Sequence, residues 1–401
     1  MKKIVYISGS VGLGHVQRDI RIARELMAMR KDLEILWLAG HPANEVLEGE
    51  GLRLLPECAE RDVGTSVIEQ LAGGSQEVNM TAILYNVRKL RRYDRAIGQI
   101  LQILQREKPA LLIADEAYEL TGGYAAHPQV PWPRIVFMWD FVKVYPGSAS
   151  LRDRLVARKV NQGWDKAFRS APDDLWTDIF LGDLEDVPDE RLGWGMMNAR
   201  EGVAKRFKVA GNPVQFDPEP FLDKGAVRAR LGYGPGHMLV CSVGGTSVGR
   251  DLLQLCVDAF PLIRRVLRDV RMLVVKGPRM TEDLRDVPEG VEVKGYLPKL
   301  YEHFAAADMA IVQGGGTSTL ELSVLRKQFL YFPLKGHSEQ EINVARKLER
   351  NGLGIKCSFE GMSPERLTEL VVENIDKPVS YPSLSSQGCR RAAETIAGLI
   401  P

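Results

Sequence analysis

His15 is the first residue placed to do chemistry. It lies in SGSVGLGHVQRD, between the apolar run KKIVYI and the helical run IRIARELMAM. An imidazole titrates near neutrality, so a neutral histidine at the end of a strand can take a proton from a hydroxyl. Gly12 and Gly14 beside it leave the backbone open to a close-lying ligand. The plainer reading is a polar residue that opens a helix. Asp115 ends a second apolar run, LLIADE. If the two strands are neighbours, its carboxylate orients the imidazole and stabilises the charged ring. Glu116 is the competing partner.

Two later stretches have the pattern of a phosphate cradle. In QGGGTSTLE a strand ends at Val312, glycines follow, and Thr317, Ser318 and Thr319 stand where a helix begins. Unpaired N–H groups, hydroxyls and the helix dipole together favour an anion there. No lysine follows the glycines, so this is not a Walker motif. SVGGTSVGRDLL repeats the design with Gly244, Gly245 and Thr246. Two such loops could grip two adjacent phosphates; each alone also reads as a tight turn with a helix cap. Glu321, in the first turn or so of its helix, could accept hydrogen bonds from ribose hydroxyls or compensate the helix dipole. Glu339 and Gln340 open a further helix and could meet sugar hydroxyls or stand solvated.

These residues need strands to present them, and the sequence supplies strands and helices in alternation. KKIVYIS, LEILWLAG, LRLLPE, ALLIADE and RIVFMWD read as strands of a first unit. HMLVCSVGG, RMLVVKGP, VEVKGYLP, MAIVQGGG and FLYFPLKG read as strands of a second. Continuous apolar strands separated by helices indicate parallel sheets covered on both faces. The proline-rich VAGNPVQFDPEP joins the halves. The division expected is an N-terminal domain over 1–210, a linker at 211–222, a second domain over 223–380, and a C-terminal helix within 381–401 that packs back on the first domain. Ligands in doubly wound sheets bind at the carboxyl ends of the strands, so a cleft between two such domains is the expected site.

Composition narrows the classes. Hydrophobic residues make up 45% and charged residues 26%, as in globular proteins, and no apolar run approaches a membrane span. The net charge of +1 disfavours nucleic acid as a partner. Five scattered cysteines, with no CxxC pair, suggest neither a zinc site nor a disulfide framework, so a reduced cytoplasmic setting is expected. Arg88, Lys89, Arg91, Arg92 and Arg95 form a basic helix face, either solvated or in peripheral contact with an anionic membrane surface. The aromatics of VPWPRIVFMWDFVKVYPG read as core or as the lining of an acceptor pocket.

Taken in order, GLGHVQRDIRIARELM, VAGNPV, QGGGTSTLELSVLRKQFLYFP and EQEINVARKLERNGLG resemble the GT-B glycosyltransferases of the branch that includes MurG and the UDP-glycosyltransferases, with a family 28-type C-terminal domain. The resemblance spans nearly the whole chain, and is specific in the C-terminal half and weak from about 41 to 205. It implies two Rossmann-like α/β domains facing across a cleft. It implies inverting transfer of a sugar from a UDP- or dTDP-sugar to a hydroxyl acceptor, without a metal or further cofactor. His15 would be the general base and Asp115 its partner. Gly244, Gly245, Thr246, Gly315, Gly316, Thr317, Ser318 and Thr319 would meet the diphosphate, Glu321 the ribose, and Glu339 and Gln340 the sugar. Tyr296 and Leu297, in KGYLPKL, would meet the base. Gln313 stands where many relatives have histidine, and Glu339 where aspartate is more frequent. GLGHVQR also resembles the loop of PseG-like nucleotide-sugar hydrolases, in which the same histidine would activate water. A non-catalytic nucleotide-sugar-binding protein is a third reading.

Overall fold

The computed structural model describes residues 1–9, 12–62, 92–170, 172–193, 195–245 and 248–401, without the side chains of 92 and 167–170. Among these, residues up to 215 together with 385–401 form one compact unit, and 216–384 form another.

The first unit holds a parallel sheet of β1 (Lys2–Ile7), β2 (Leu33–Leu38), β3 (Leu111–Asp115), β4 (Arg134–Trp139), β5 (Trp176–Phe180) and β6 (Lys208–Val209), in the order β2-β1-β3-β4-β5-β6. β1 pairs with both β2 and β3. The order therefore reverses between β1 and β3, and a crevice opens at their carboxyl ends. His15 follows β1 and Asp115 ends β3. The apolar strands are buried on both faces because helices cover both. Helix Leu13–Met29 buries Val16, Ile20, Ala23 and Leu26, one stripe at helical spacing. Helix Gly388–Leu399 lies against it with Cys389, Ala392, Ala393 and Ile396. At the start of that helix, a Cβ on Gly388 would sit 2.4 Å from the Gly211 and Asn212 carbonyl oxygens, so only glycine lets the returning tail close on the first unit. Burying each such Val, Ile or Leu side chain contributes about 1.5–3 kcal/mol.

LRLLPE departs from its expected strand. Leu54 makes one bridge to Trp37, and Pro56 then opens a 3-10 turn, Pro56–Glu60. Proline has no N–H to extend the pairing. β5 is absent from the sequence reading because Asp178 interrupts its apolar pattern. The structure buries that carboxylate where it accepts from Trp139 Nε1 at 2.9 Å and Trp176 Nε1 at 2.8 Å. Trp132, Phe137, Trp139, Phe141 and Tyr145 are all buried in the core of this unit, so these aromatics pack inside rather than line a pocket.

The second unit's sheet holds β7 (Met238–Ser242), β8 (Arg271–Val275), β9 (Val291–Lys294), β10 (Met309–Gln313), β11 (Gln328–Phe332) and β12 (Ile355–Lys356). Its order is β12-β11-β10-β7-β8-β9, all parallel. This is the Rossmann order, and its reversal lies between β7 and β10. The two glycine loops follow those two strands.

Candidate functional site

In the first unit the strand reversal brings a charged cluster together. His15 is the third residue of helix Leu13–Met29, whose start is Gly12 without a side-chain cap. Gly14 is the second helical residue. His15 Nδ1 lies 3.0 Å from Asp115 Oδ2. Arg18, one turn along the same helix face, donates from Nη2 to both Asp115 oxygens at 2.7 and 2.9 Å. Its Nη1 donates to Asp140 Oδ2 at 3.3 Å. His15 Nε2 faces Glu116 Oε2 at 3.4 Å and Asp140 Oδ2 at 3.6 Å. Beneath them Asp19, wholly buried, accepts from Ser8 Oγ at 2.5 Å and Tyr6 Oη at 3.1 Å.

The field of this cluster corrects one expectation. Burial opposes charge on His15, and so does Arg18, but Glu116 and Asp115 outweigh both and raise the ring to about 10. The cluster therefore favours the protonated imidazole, where a neutral ring was expected. Nδ1–H then donates to Asp115, which holds two cations at once. Arg18 Nη2 is also 2.7 Å from Nδ1. A guanidinium only donates, so Nδ1 can accept from Arg18 only when it does not donate to Asp115. Burial raises Asp115 too, yet Arg18 and His15 prevail and hold it below the ordinary carboxylate range. Burial pushes Glu116 up to about 8; His15 opposes this, and Asp140 and Asp115 add to it. His15 Nε2 and carboxylate oxygens of Glu116 and Asp140 lie within 4.8 Å of one another, a spacing that could hold a cation. Arg18 already supplies positive charge to that group through Asp140.

Arg18 and Asp140 are absent from the sequence reading. The i, i+3 spacing of GHVQR was the available signal for Arg18, and the position of Asp140 just after RIVFMW was the signal for the aspartate. Glu116 has a further mark, a backbone φ of 53° at the end of β3. Such left-handed geometry is uncommon away from glycine and clusters at functional sites.

In the second unit Gly244 follows β7 at φ 84° and is exposed, and Gly245 is half-buried. Thr246 lies outside the described residues. Gly315 caps helix Gly316–Val324, where no side chain caps the N-terminus and no acid occupies the first turn. Gly316, Thr317 and Ser318 form that turn, so its N–H groups point outward beside hydroxyls. Thr319 departs from its expected place. Its side chain is buried and its hydroxyl donates back to Gly315 O at 2.9 Å, bracing the turn instead of facing a ligand. Glu321, the sixth helical residue, lies in the second turn and is buried. Glu339 Oε1 comes 3.7 Å from the place a Gly316 Cβ would take, so Glu339 and the helix start are neighbours. Glu339 and Gln340 open a π-helical turn, Glu339–Val344, in place of an ordinary helix start. Gln340 Oε1 accepts from Leu334 N at 3.0 Å. Tyr296, exposed, and Leu297, half-buried, follow β9. Of the basic face, Arg88, Lys89, Arg91 and the Arg92 side chain lie outside the described residues; Arg95 is exposed.

The glycosyltransferase family 28 C-terminal domain matches residues 239–396, the stretch that carries both glycine loops. The chain is a glycosyltransferase of the GT-B fold, similar to the branch of MurG and the UDP-glycosyltransferases. An uncharacterized glycosyltransferase of Methanopyrus kandleri is 28% identical over 185 residues, which cover 46% of this chain and 52% of that one. A UDP-N-acetylglucosamine–N-acetylmuramyl-(pentapeptide) pyrophosphoryl-undecaprenol N-acetylglucosamine transferase of Desulfitobacterium hafniense is 23% identical and covers 99% of this glycosyltransferase and 95% of its own length. Among solved structures, the kitacinnamycin glycotransferase aligns with a TM-score of 0.64 at 16% identity, covering 100% of this chain and 99% of its own. MurG of Acinetobacter baumannii aligns at 0.52 and 14% identity, with coverage of 100% and 99%. Among the described residues, no helix of this glycosyltransferase is long and apolar enough to cross a membrane.

Proposed function

We propose that this glycosyltransferase moves a sugar, with inversion and without a metal, from a nucleotide diphosphate sugar to a hydroxyl acceptor. UDP is the favoured nucleotide, since the Desulfitobacterium relative is named for a UDP-sugar. The observation that carries the reading is the His15–Asp115 pair, 3.0 Å apart at the strand reversal of the first sheet. His15 takes the hydroxyl proton once its resting proton has left, and Asp115 holds the ring. In the second unit Gly244, Gly245, Thr246 and Gly315–Ser318 bind the diphosphate. Backbone N–H groups and a bare helix start stabilise its departing charge, which leaves no step that requires a divalent ion. Glu321 takes the ribose, Tyr296 and Leu297 the base, and Glu339 with Gln340 the sugar. The five cysteines, all buried and unpaired, support a cytoplasmic setting.

The test is a panel of UDP- and dTDP-sugars, each incubated with and without hydroxyl acceptors, in EDTA and in magnesium. Sugar transfer that depends on acceptor and survives EDTA is the expected result. Rapid release of free sugar without acceptor would mean a hydrolase, with His15 activating water. Donor binding without turnover would mean a binding protein. Glu321→Ala is expected to weaken UDP binding by about tenfold, the size of one or two lost hydrogen bonds, and to change kcat by less. Unchanged UDP affinity by isothermal titration would remove the ribose assignment.

A further inference from the structure

We propose that Gln313 is a positioning residue that ties the two glycine loops of the second unit into one clamp spaced for adjacent phosphates. The inference rests on the reading of those loops as the diphosphate site. β10 and β7 are neighbours, with Val312 level with Ser242, so the loops that follow them diverge on either side of the strand reversal. A reversal leaves a crevice there with nothing in the sheet to fix its width. Gln313, the last residue of β10, spans it. Its side chain is buried, and Nε2 donates to Val248 O in the opposite loop at 3.0 Å. The contact needs a glycine next to it. Gly249 has φ 105°, and a Cβ there would lie 1.9 Å from Gln313 Nε2.

The β7 loop is held from its other side as well. Gly277, beyond β8, has φ 83°, and a Cβ on it would lie 2.2 Å from Gly244 O. The loop is thus seated against both neighbouring strands, and Gln313 is the side chain that links it to the loop leading into helix Gly316–Val324. That helix begins three residues after Gln313, and Gly249 caps helix Arg250–Val266. The hydrogen bond therefore sets the separation of two helix starts. One N–H of the Gln313 amide is held by Val248, so the residue acts through the loops it joins. A ligand with one phosphate can rest on either loop; a ligand with two must span both. Loss of the tie should weaken the second kind of ligand selectively.

The experiment is isothermal titration of UDP and UMP into the full chain and into Gln313→Ala and Gln313→Glu. Glutamate keeps the volume but sets an oxygen against Val248 O, and thermal unfolding reports whether each variant folds. Wild type is expected to prefer UDP. Both variants should lose UDP affinity on the order of tenfold, as for a lost buried hydrogen bond, with UMP affinity held within about twofold. Equal losses for UDP and UMP would show a general structural role and overturn the proposal, as would wild-type UDP affinity in folded Gln313→Glu. Wild-type protein that binds neither nucleotide would remove the donor reading, and the clamp with it.

Discussion

His15→Ala is expected to lower kcat by about 10²–10⁴-fold, the usual worth of a positioned base, and to leave UDP affinity within about twofold. The separation follows from the fold. His15 belongs to the first unit, while the loops assigned to the nucleotide belong to the second. The pH dependence gives the sharper test. Glu116 and Asp115 raise the ring to about 10 against burial and Arg18, so the base form is scarce at pH 7. kcat/KM should climb with pH through the range above 7, where an ordinary histidine would have levelled off near 6.5. Stability carries the same signature with its own sign. A group whose folded pKa lies above its unfolded value stabilises fully below the unfolded pKa and loses that contribution as pH rises through the folded one. His15 therefore contributes most below 6.5 and progressively less toward 10. Wild type should lose melting temperature between pH 7 and 10 by more than His15→Ala does. A rate profile that levels off near 6.5, or an alanine variant with undiminished turnover, would remove His15 from the role.

What was legible in the sequence follows from which signals are local. Strands β1, β3, β7 and β10 announce themselves as short apolar runs ending in glycine or an acid, and the residues just beyond them stand where chain reversal makes a crevice. His15 and Asp115 could be named as a conditional pair for that reason. Their adjacency rested on the order β2-β1-β3, which is a property of the sheet. Arg18 escaped notice because a lone arginine on a helix usually snorkels to water; only the carboxylates 97 and 122 residues away show that this one does not. Glu116 and Asp115 raise the His15 ring against burial and Arg18, and no motif encodes that sum. β5 failed for a different reason: Asp178 looks like a surface residue until two tryptophan N–H groups are found on it. Gln313 was visible as a departure from histidine, but its partner is a backbone carbonyl, which sequence cannot single out.

Asp115→Asn should combine the largest stability loss with a diagnostic change in chemistry. The Asp115 side chain is shielded from solvent and receives two hydrogen bonds from a guanidinium that is itself almost wholly buried. Removing one partner of a buried pair costs about 3–5 kcal/mol at most where the other is left without a counter-charge, and here Arg18 would keep only its longer contact to Asp140 at 3.3 Å. Urea unfolding should show a lower midpoint for the first unit. The wild-type contribution has a pH window as well. Asp115 is held below its ordinary value of 3.8, so its stabilisation is present above that pH and drains away as the pH falls toward about 2; the asparagine variant should lack this acid-labile part. In the rate profile, Asp115 is one of the two groups that raise His15, so the asparagine variant should move the acidic limb to lower pH. Arg18 works in the opposite sense, because its charge lowers the ring. Arg18→Met should move the limb upward, if enough folded protein remains to assay. Both substitutions break the same ion pair and both destabilise, so damage to the fold alone would displace the two profiles alike. Displacements of opposite sign require that the group that titrates in catalysis feel both Asp115 and Arg18, as His15 and Glu116 do; loss of the limb in His15→Ala and its retention in Glu116→Gln would assign it to His15. Limbs that move together, or not at all, would place the base elsewhere.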